Sequence, residues 1–351
     1  MITDKDFTIT FFDVNGGDGI WIRYRGENKK FHNILIDGGY GKSYYGAFKQ
    51  VIQQVLKLEE VIDLWIITHI DGDHIGAILA FINDTDIADK SKMVRSFWFN
   101  HTDFEVPNLS SSISVTQAIK LRKYLETLGI VEQSFVDTTV PERILHGVKF
   151  EILSPIPEKR DKANDEWLLE EGKTKTSGTK TPDHGKTIAE LKLNVFEEDD
   201  DIPNGSSIAF ILTYHGIKGL FLADAHPSDI ITSLRILGYT PDNRIKVDFV
   251  KVAHHGSKVN TNDELLSLID CENYIFSANG ISHFHPDKEV IVRIITHPSR
   301  NLEINRELSF VSENQPLKDL FKVDDQASIK YNFTSTYPDQ GNNYLQLTYN
   351  L

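Results

Sequence analysis

The chain has a single cysteine, Cys271, in 351 residues. That excludes an internal disulfide and any thiolate-rich metal site, so a bound metal would have to be held by nitrogen and oxygen. Long hydrophobic runs are absent too: no apolar stretch approaches the roughly 20 residues of a membrane-spanning helix. The opening Met1-Ile2-Thr3-Asp4-Lys5-Asp6 has none of the character of a signal peptide. The expectation is a cytoplasmic protein with no membrane contact. Positive charge is in deficit, with 37 Lys and Arg against 51 Asp and Glu and a net charge of −14. This argues against a broad nucleic-acid-wrapping surface, so any polynucleotide contact has to be local. Hydrophobic (40%) and charged (25%) contents are those of an ordinary globular protein with material for a full core.

What stands out against this background is His69-Ile70-Asp71-Gly72-Asp73-His74, four metal-ligand side chains in six residues. It follows Leu64-Trp65-Ile66-Ile67, an apolar run that reads as a buried strand. The cluster therefore sits where a strand gives way to a loop. Imidazole and carboxylate together suit a first-row divalent ion.

Strands are expected at 7–14, 20–24, 33–37, 64–68, 94–99, 148–153, 207–214, 219–223, 247–252, 274–277, 328–333 and 344–349, with 207–223 forming a hairpin. Helical spacing marks 45–58, 75–82, 115–128, 227–237, 263–269 and 287–295. Residues 155–204 are polar, end in the acidic run Glu197–Asp201, and read as a mobile insertion. Candidate ligands repeatedly fall just after a predicted strand: Asp37, the cluster itself, Asp224 and His254. Loops on a rigid scaffold converge in this way.

Together, His69-x-Asp71-x-Asp73-His74, the preceding Ile36-Asp37-Gly38-Gly39, and the downstream Ala223-Asp224 and His254-His255-Gly256-Ser257 resemble the metallo-β-lactamase superfamily. Within it the chain looks most like the metallo-β-lactamase-type domain of ComEC-like DNA-uptake proteins. Phe12 to Asp18, Asn204-Gly205-Ser206-Ser207, Lys251 to Ser257 and His283-Phe284-His285-Pro286 follow that pattern in order, over about residues 7–295. The resemblance implies an α+β fold, a four-layered αβ/βα sandwich of two mixed β-sheets with helices outside. Residues 1–298 would form the hydrolase domain, and 299–351 a C-terminal extension whose strands pack on it.

The resemblance also implies the site. Asp73, His74 and His254 would hold one ion, His69 and Asp71 a second, with Asp224 between them. Asp71 and the stretch containing Asn204 and Ser207 stand where better-known zinc enzymes of the superfamily have histidine. One or two divalent ions are expected, zinc as first choice and manganese as second. Spacing alone does not separate His254 from His255. The superfamily's His-x-Gly-Thr motifs use the first, leaving His255 to orient substrate. Asp37 is expected to fix a ligand histidine, His285 to donate a proton, and His283 and Lys258 to meet an anionic substrate. The function expected is phosphodiester hydrolysis of a nucleotide or nucleic acid, with Asp73 essential. Two other readings stay open: a hydrolase of esters, lactones or amides, and a non-catalytic metal-binding module that docks a protein partner through 155–204.

Overall fold

The computed structural model describes residues 5–100, 113–128, 135–169 and 181–351. The first strands are β1 (Phe7–Phe12), β2 (Gly19–Arg25), β3 (Phe31–Asp37), β4 (Leu64–Ile67) and β5 (Phe97–Phe99). Next come β6 (Glu142–Leu145), β7 (Val148–Ser154), β8 (Ala209–Tyr214), β9 (Ile217–Phe221), β10 (Ile245–Lys246) and β11 (Phe249–Lys251). The last are β12 (Ile269–Asp270), β13 (Asn273–Phe276), β14 (Arg306–Phe310), β15 (Phe333–Thr336) and β16 (Tyr344–Tyr349).

One mixed sheet has the order β16-β1-β2-β3-β4-β5, and the other β15-β14-β13-β11-β9-β8-β7-β6; β10 and β12 form a small parallel pair. The strands after residue 299 thus join both sheets, β14 and β15 one and β16 the other. In each sheet antiparallel hairpins give way to parallel pairs: β3 with β4 and β4 with β5 in one, β9 with β11, β11 with β13 and β13 with β14 in the other.

The apolar runs are continuous because both faces of each sheet are covered. Along β3 and β4, Ile34, Ile36, Leu64 and Ile66 point into a core between the sheets, meeting Phe150, Phe210 and Phe249. Their neighbours Leu35, Trp65 and Ile67 point the other way, beneath the helices Lys49–Lys57 and Gly72–Asn83. The two-residue alternation of a strand divides the side chains between two cores. A third core packs Pro227–Ile236 and Lys288–Thr296 on the outer face of the second sheet. The layers are helix, sheet, sheet, helix, as expected from the sequence. Each fully buried Leu, Ile or Phe contributes about 1.5–3 kcal/mol. Among the described residues no helix is long and apolar enough to cross a membrane.

Element limits differ where local chemistry overrides periodicity. The segment expected as a strand at 328–333 begins as the short helix Ala327–Lys330, and the strand is Phe333–Thr336. Within 155–204, the described residues include the helices Pro157–Leu169, Ile188–Leu191 and Ile202–Gly205. Ile188–Leu191 starts on a reciprocal cap between Thr187 and Glu190. Residues 170–180 of that stretch, and His101, lie outside the described residues.

Candidate metal centre

Parallel strands place their carboxyl ends together, and the loops leaving those ends form a crevice. Here β3 delivers Asp37, β4 delivers Thr68 to His74, β9 leads to Asp224, β11 to His254 and His255, and β13 to Ser277. At the centre is the Asp224 carboxylate, buried to 2% exposure. The Nε2 atoms of His74, His255, His254 and His69 lie 3.4, 3.5, 3.6 and 3.8 Å from its Oδ2. His255 Nε2 is also 3.5 Å from Asp73 Oδ2, and His69 Nε2 is 3.8 Å from Asp71 Oδ2.

These separations are long for hydrogen bonds. They match ligands about 2.0–2.1 Å from a shared tetrahedral ion, which sit about 3.3 Å apart. His69 Nε2, His74 Nε2, His255 Nε2 and Asp224 Oδ1 are all buried with no hydrogen-bond partner. Such atoms cost free energy unless something occupies the space between them. The donor set therefore fits divalent metal.

The other nitrogen of each ring is fixed. His74 Nδ1 donates to Asp37 Oδ2 at 2.8 Å, and His254 Nδ1 to Asn260 Oδ1 at 2.8 Å. His255 Nδ1 donates to Ser277 Oγ (3.0 Å) and Asp18 Oδ1 (3.2 Å). The Thr68 hydroxyl donates to Asp37 Oδ2 at 2.7 Å, so its oxygen accepts from His69 Nδ1 at 3.2 Å. With Nδ1 engaged in all four rings, every Nε2 is turned to the centre.

Electrostatics follow from this crowding. Burial pushes the His69 imidazolium down to about 3, assisted by neighbouring His74. For His74 and His255 burial acts downward but is outweighed by Asp224, together with Asp37 and Asp18 respectively. Both imidazoles are held well above their ordinary range. Burial acts upward on Asp224, yet His254, His255 and His74 hold it well below the usual carboxylate range.

The expected residues divide into groups. His69, Asp71, Asp73, His74, Asp224, His254 and His255 all meet at the centre, and Asp37 accepts from His74 Nδ1 behind it. It is His255 that clusters with Asp73 and His74. His254 comes in from the side of Asp199, whose Oδ2 is 3.5 Å from its Nδ1. Consecutive left-handed residues (φ 48° and 55°) turn the two rings in different directions. Asn204 Nδ2 donates to Asp199 Oδ2 at 2.8 Å, so it supports the His254 side indirectly. Ser207 is buried one turn away, its backbone N–H donating to Asn204 O. His285 is buried with its ring 5.5 Å from that of His254. His283 lies at the rim, 3.4 Å from the Tyr40 hydroxyl. Lys258 is exposed, three residues after His255.

Sequence reasoning missed Asp18, Asp199, Asn260, Thr68 and Ser277. Asp18 reads as a glycine-flanked turn residue, yet it is buried and paired at 2.8 Å with Lys251. The signal was Lys251 itself, a charge inside the apolar run of β11 that needs a buried partner. Asp199 belongs to an acidic run that reads as solvated; its neighbours stay outside while it turns in. A second group, His32, Asp63 and His146, lies at the opposite ends of β3 and β4. Arg95 (2.9 Å) and the Asn33 N–H (3.0 Å) already satisfy Asp63.

Residues 28–187 match the family model described as the metallo-beta-lactamase superfamily. That region carries the 69–74 cluster, while Asp224 and His254-His255 lie beyond it. Comparison with curated proteins finds no match. Among solved structures, the CmlA beta-hydroxylase E377D mutant is similar at 13% identity and TM-score 0.42; the match covers 99% of this chain and 55% of that one. This chain thus spans little more than half of that relative. The metallo-beta-lactamase fold protein YhfI from Bacillus subtilis is similar at 10% identity and TM-score 0.43, over 97% and 99% of the two chains. A long form RNase Z from yeast is similar at 11% identity and TM-score 0.36, over 96% and 45%. Likeness at that level decides nothing about chemistry. Residues 28–187 are thus similar to the metallo-β-lactamase superfamily, and the helix-sheet-sheet-helix layering is that of the metallo-β-lactamase fold.

Proposed function

We propose that the chain is a metal-dependent phosphodiesterase or nuclease, acting on nucleotides or on short single-stranded nucleic acid. The observation that carries this reading is the convergence of four imidazole Nε2 atoms on one buried carboxylate, Asp224, with the opposite nitrogen of every ring held. Asp73, His74 and His255 would hold one ion, and His69, Asp71 and His254 the other, with Asp224 shared. His254 then supplies the third ligand that the segment around Asn204 and Ser207 lacks. Zinc is the first choice, and the three carboxylates make manganese the second. Bound there, divalent ions acidify a water and offset charge on a phosphoryl oxygen.

The chain's own residues supply the rest. Asp37, Asp18, Thr68 and Asn260 keep the imidazoles aimed, so no ligand must reorganise during reaction. His285, packed against His254, would pass a proton to the departing oxygen. Lys258, which is exposed, would meet an anionic substrate. The phosphodiester assignment is supported by Asp71 in place of histidine, by Lys258, and by the ordered resemblance to ComEC-like domains. Replacing Asp73 with Ala should abolish turnover of both bis(p-nitrophenyl) phosphate and single-stranded DNA. Unchanged rates would contradict the reading.

A further inference from the structure

The segment 254–260 has two sides. Toward the metal centre it presents His254, His255 and Asn260. On the other side, Lys258 and Val259 form a wall of a cleft of about 350 Å³. Lys186, Val195, Glu197, Glu289 and Arg293 also line it. Two charges there cancel: Glu289 pairs with Arg293 and accepts from Asn194 Nδ2 at 2.6 Å. Among the remaining charges of the lining, Lys186 and Lys258 stand against Glu197 alone, in a chain whose net charge is −14. Neither ammonium has an ion pair among the described residues.

The backbones that carry these lysines are pinned. Buried Lys288 donates from Nζ to Lys186 O at 2.6 Å. Arg293 donates to Lys258 O at 2.6 Å, and the Lys258 N–H donates to Asp287 Oδ2 at 2.9 Å. Val195 adds an apolar ledge that is 86% exposed. Lysines on held backbones beside an apolar shelf suit successive units of a sugar-phosphate strand.

We propose that this cleft seats a phosphate neighbouring the one at the metal centre, so that the substrate is an oligonucleotide strand and Lys186 reads its backbone. This rests on the phosphodiesterase reading above. The test compares metal-loaded wild type with Lys186→Ala and Lys186→Glu on two substrates: bis(p-nitrophenyl) phosphate, which has one phosphate, and a six-nucleotide oligothymidylate. Both variants should keep wild-type turnover of the first. On the oligonucleotide kcat/KM should fall roughly 3-fold to 10-fold for Lys186→Ala and further for Lys186→Glu. The slope of log kcat/KM against log salt should become shallower by about 0.7 in Lys186→Ala, the loss of one phosphate contact on a single strand. Lys186→Glu with wild-type kcat/KM on the oligonucleotide would overturn the inference, as would equal losses on both substrates. Wild type that cleaves only bis(p-nitrophenyl) phosphate would overturn the cleft's role and spare the chemistry. Wild type that cleaves neither would overturn both.

Discussion

His255 Nδ1 meets Asp18 Oδ1 at 3.2 Å although 237 residues separate them. Asp18 also accepts from Ser277 Oγ and pairs with buried Lys251, so one carboxylate fixes a ligand ring and neutralises an interior ammonium. Burial acts upward on Asp18, but Lys251 and His255 hold it below the usual carboxylate range. Asp18→Asn keeps the shape and removes the charge. Metal affinity should weaken about 10-fold to 100-fold, measured by competition with a chromophoric chelator. Wild-type affinity would mean that Asp18 serves Lys251 alone.

Acid should work against metal uptake. With His74 and His255 held above their ordinary range, the metal-free protein keeps imidazolium at both positions. An ion at Nε2 has to displace those protons, so affinity rises with pH and falls as pH is lowered. His254 is raised as well, so titrating metal into the metal-free protein in weak buffer should release protons, and more of them at lower pH. Uptake without proton release would contradict the assigned rings.

Cys271 is buried and donates to Asn273 O at 3.1 Å, and burial pushes its thiol up to about 12. Thiolate is the reactive form. The folded protein should therefore resist Ellman's reagent at pH 8 and react fully once unfolded. Rapid labelling of the native chain would contradict this environment.

Gly76 lets the helix Gly72–Asn83 sit directly on the chain at 39–41. A Cβ there would come within 2.5 Å of Gly41 N, 2.8 Å of Tyr40 C and 2.9 Å of Gly39 O, all backbone atoms. Gly76→Ala should destabilise the protein by about 1–3 kcal/mol, seen in denaturant unfolding. Because the helix carries Asp73 and His74, metal affinity should fall with it.

Much of this was legible in the chain because the ligands occupy strand ends. Continuous apolar runs such as Leu64–Ile67 announce strands covered on both faces, and the polar residue after each run marks a loop of the crevice. Asp37, the 69–74 cluster and Asp224 could be placed on that basis. His254 and His255 could not be separated, because their left-handed backbone, not their spacing, decides where each ring points. Asp199 and Asn260 were hidden for a similar reason: they meet His254 through tertiary packing that no periodicity records. The short helices of the polar stretch rest on caps such as Thr187 with Glu190, which a search for apolar spacing passes over.

The central claim is that Asp224 sits between two metal positions. Elemental analysis of the reconstituted chain beside Asp224→Ala, with bis(p-nitrophenyl) phosphate turnover on the same samples, tests it most directly. Wild type should hold about two equivalents of zinc or manganese, and the variant one or none, with turnover lost. A wild type holding less than one equivalent, or a variant that keeps both its metal and its turnover, would contradict it.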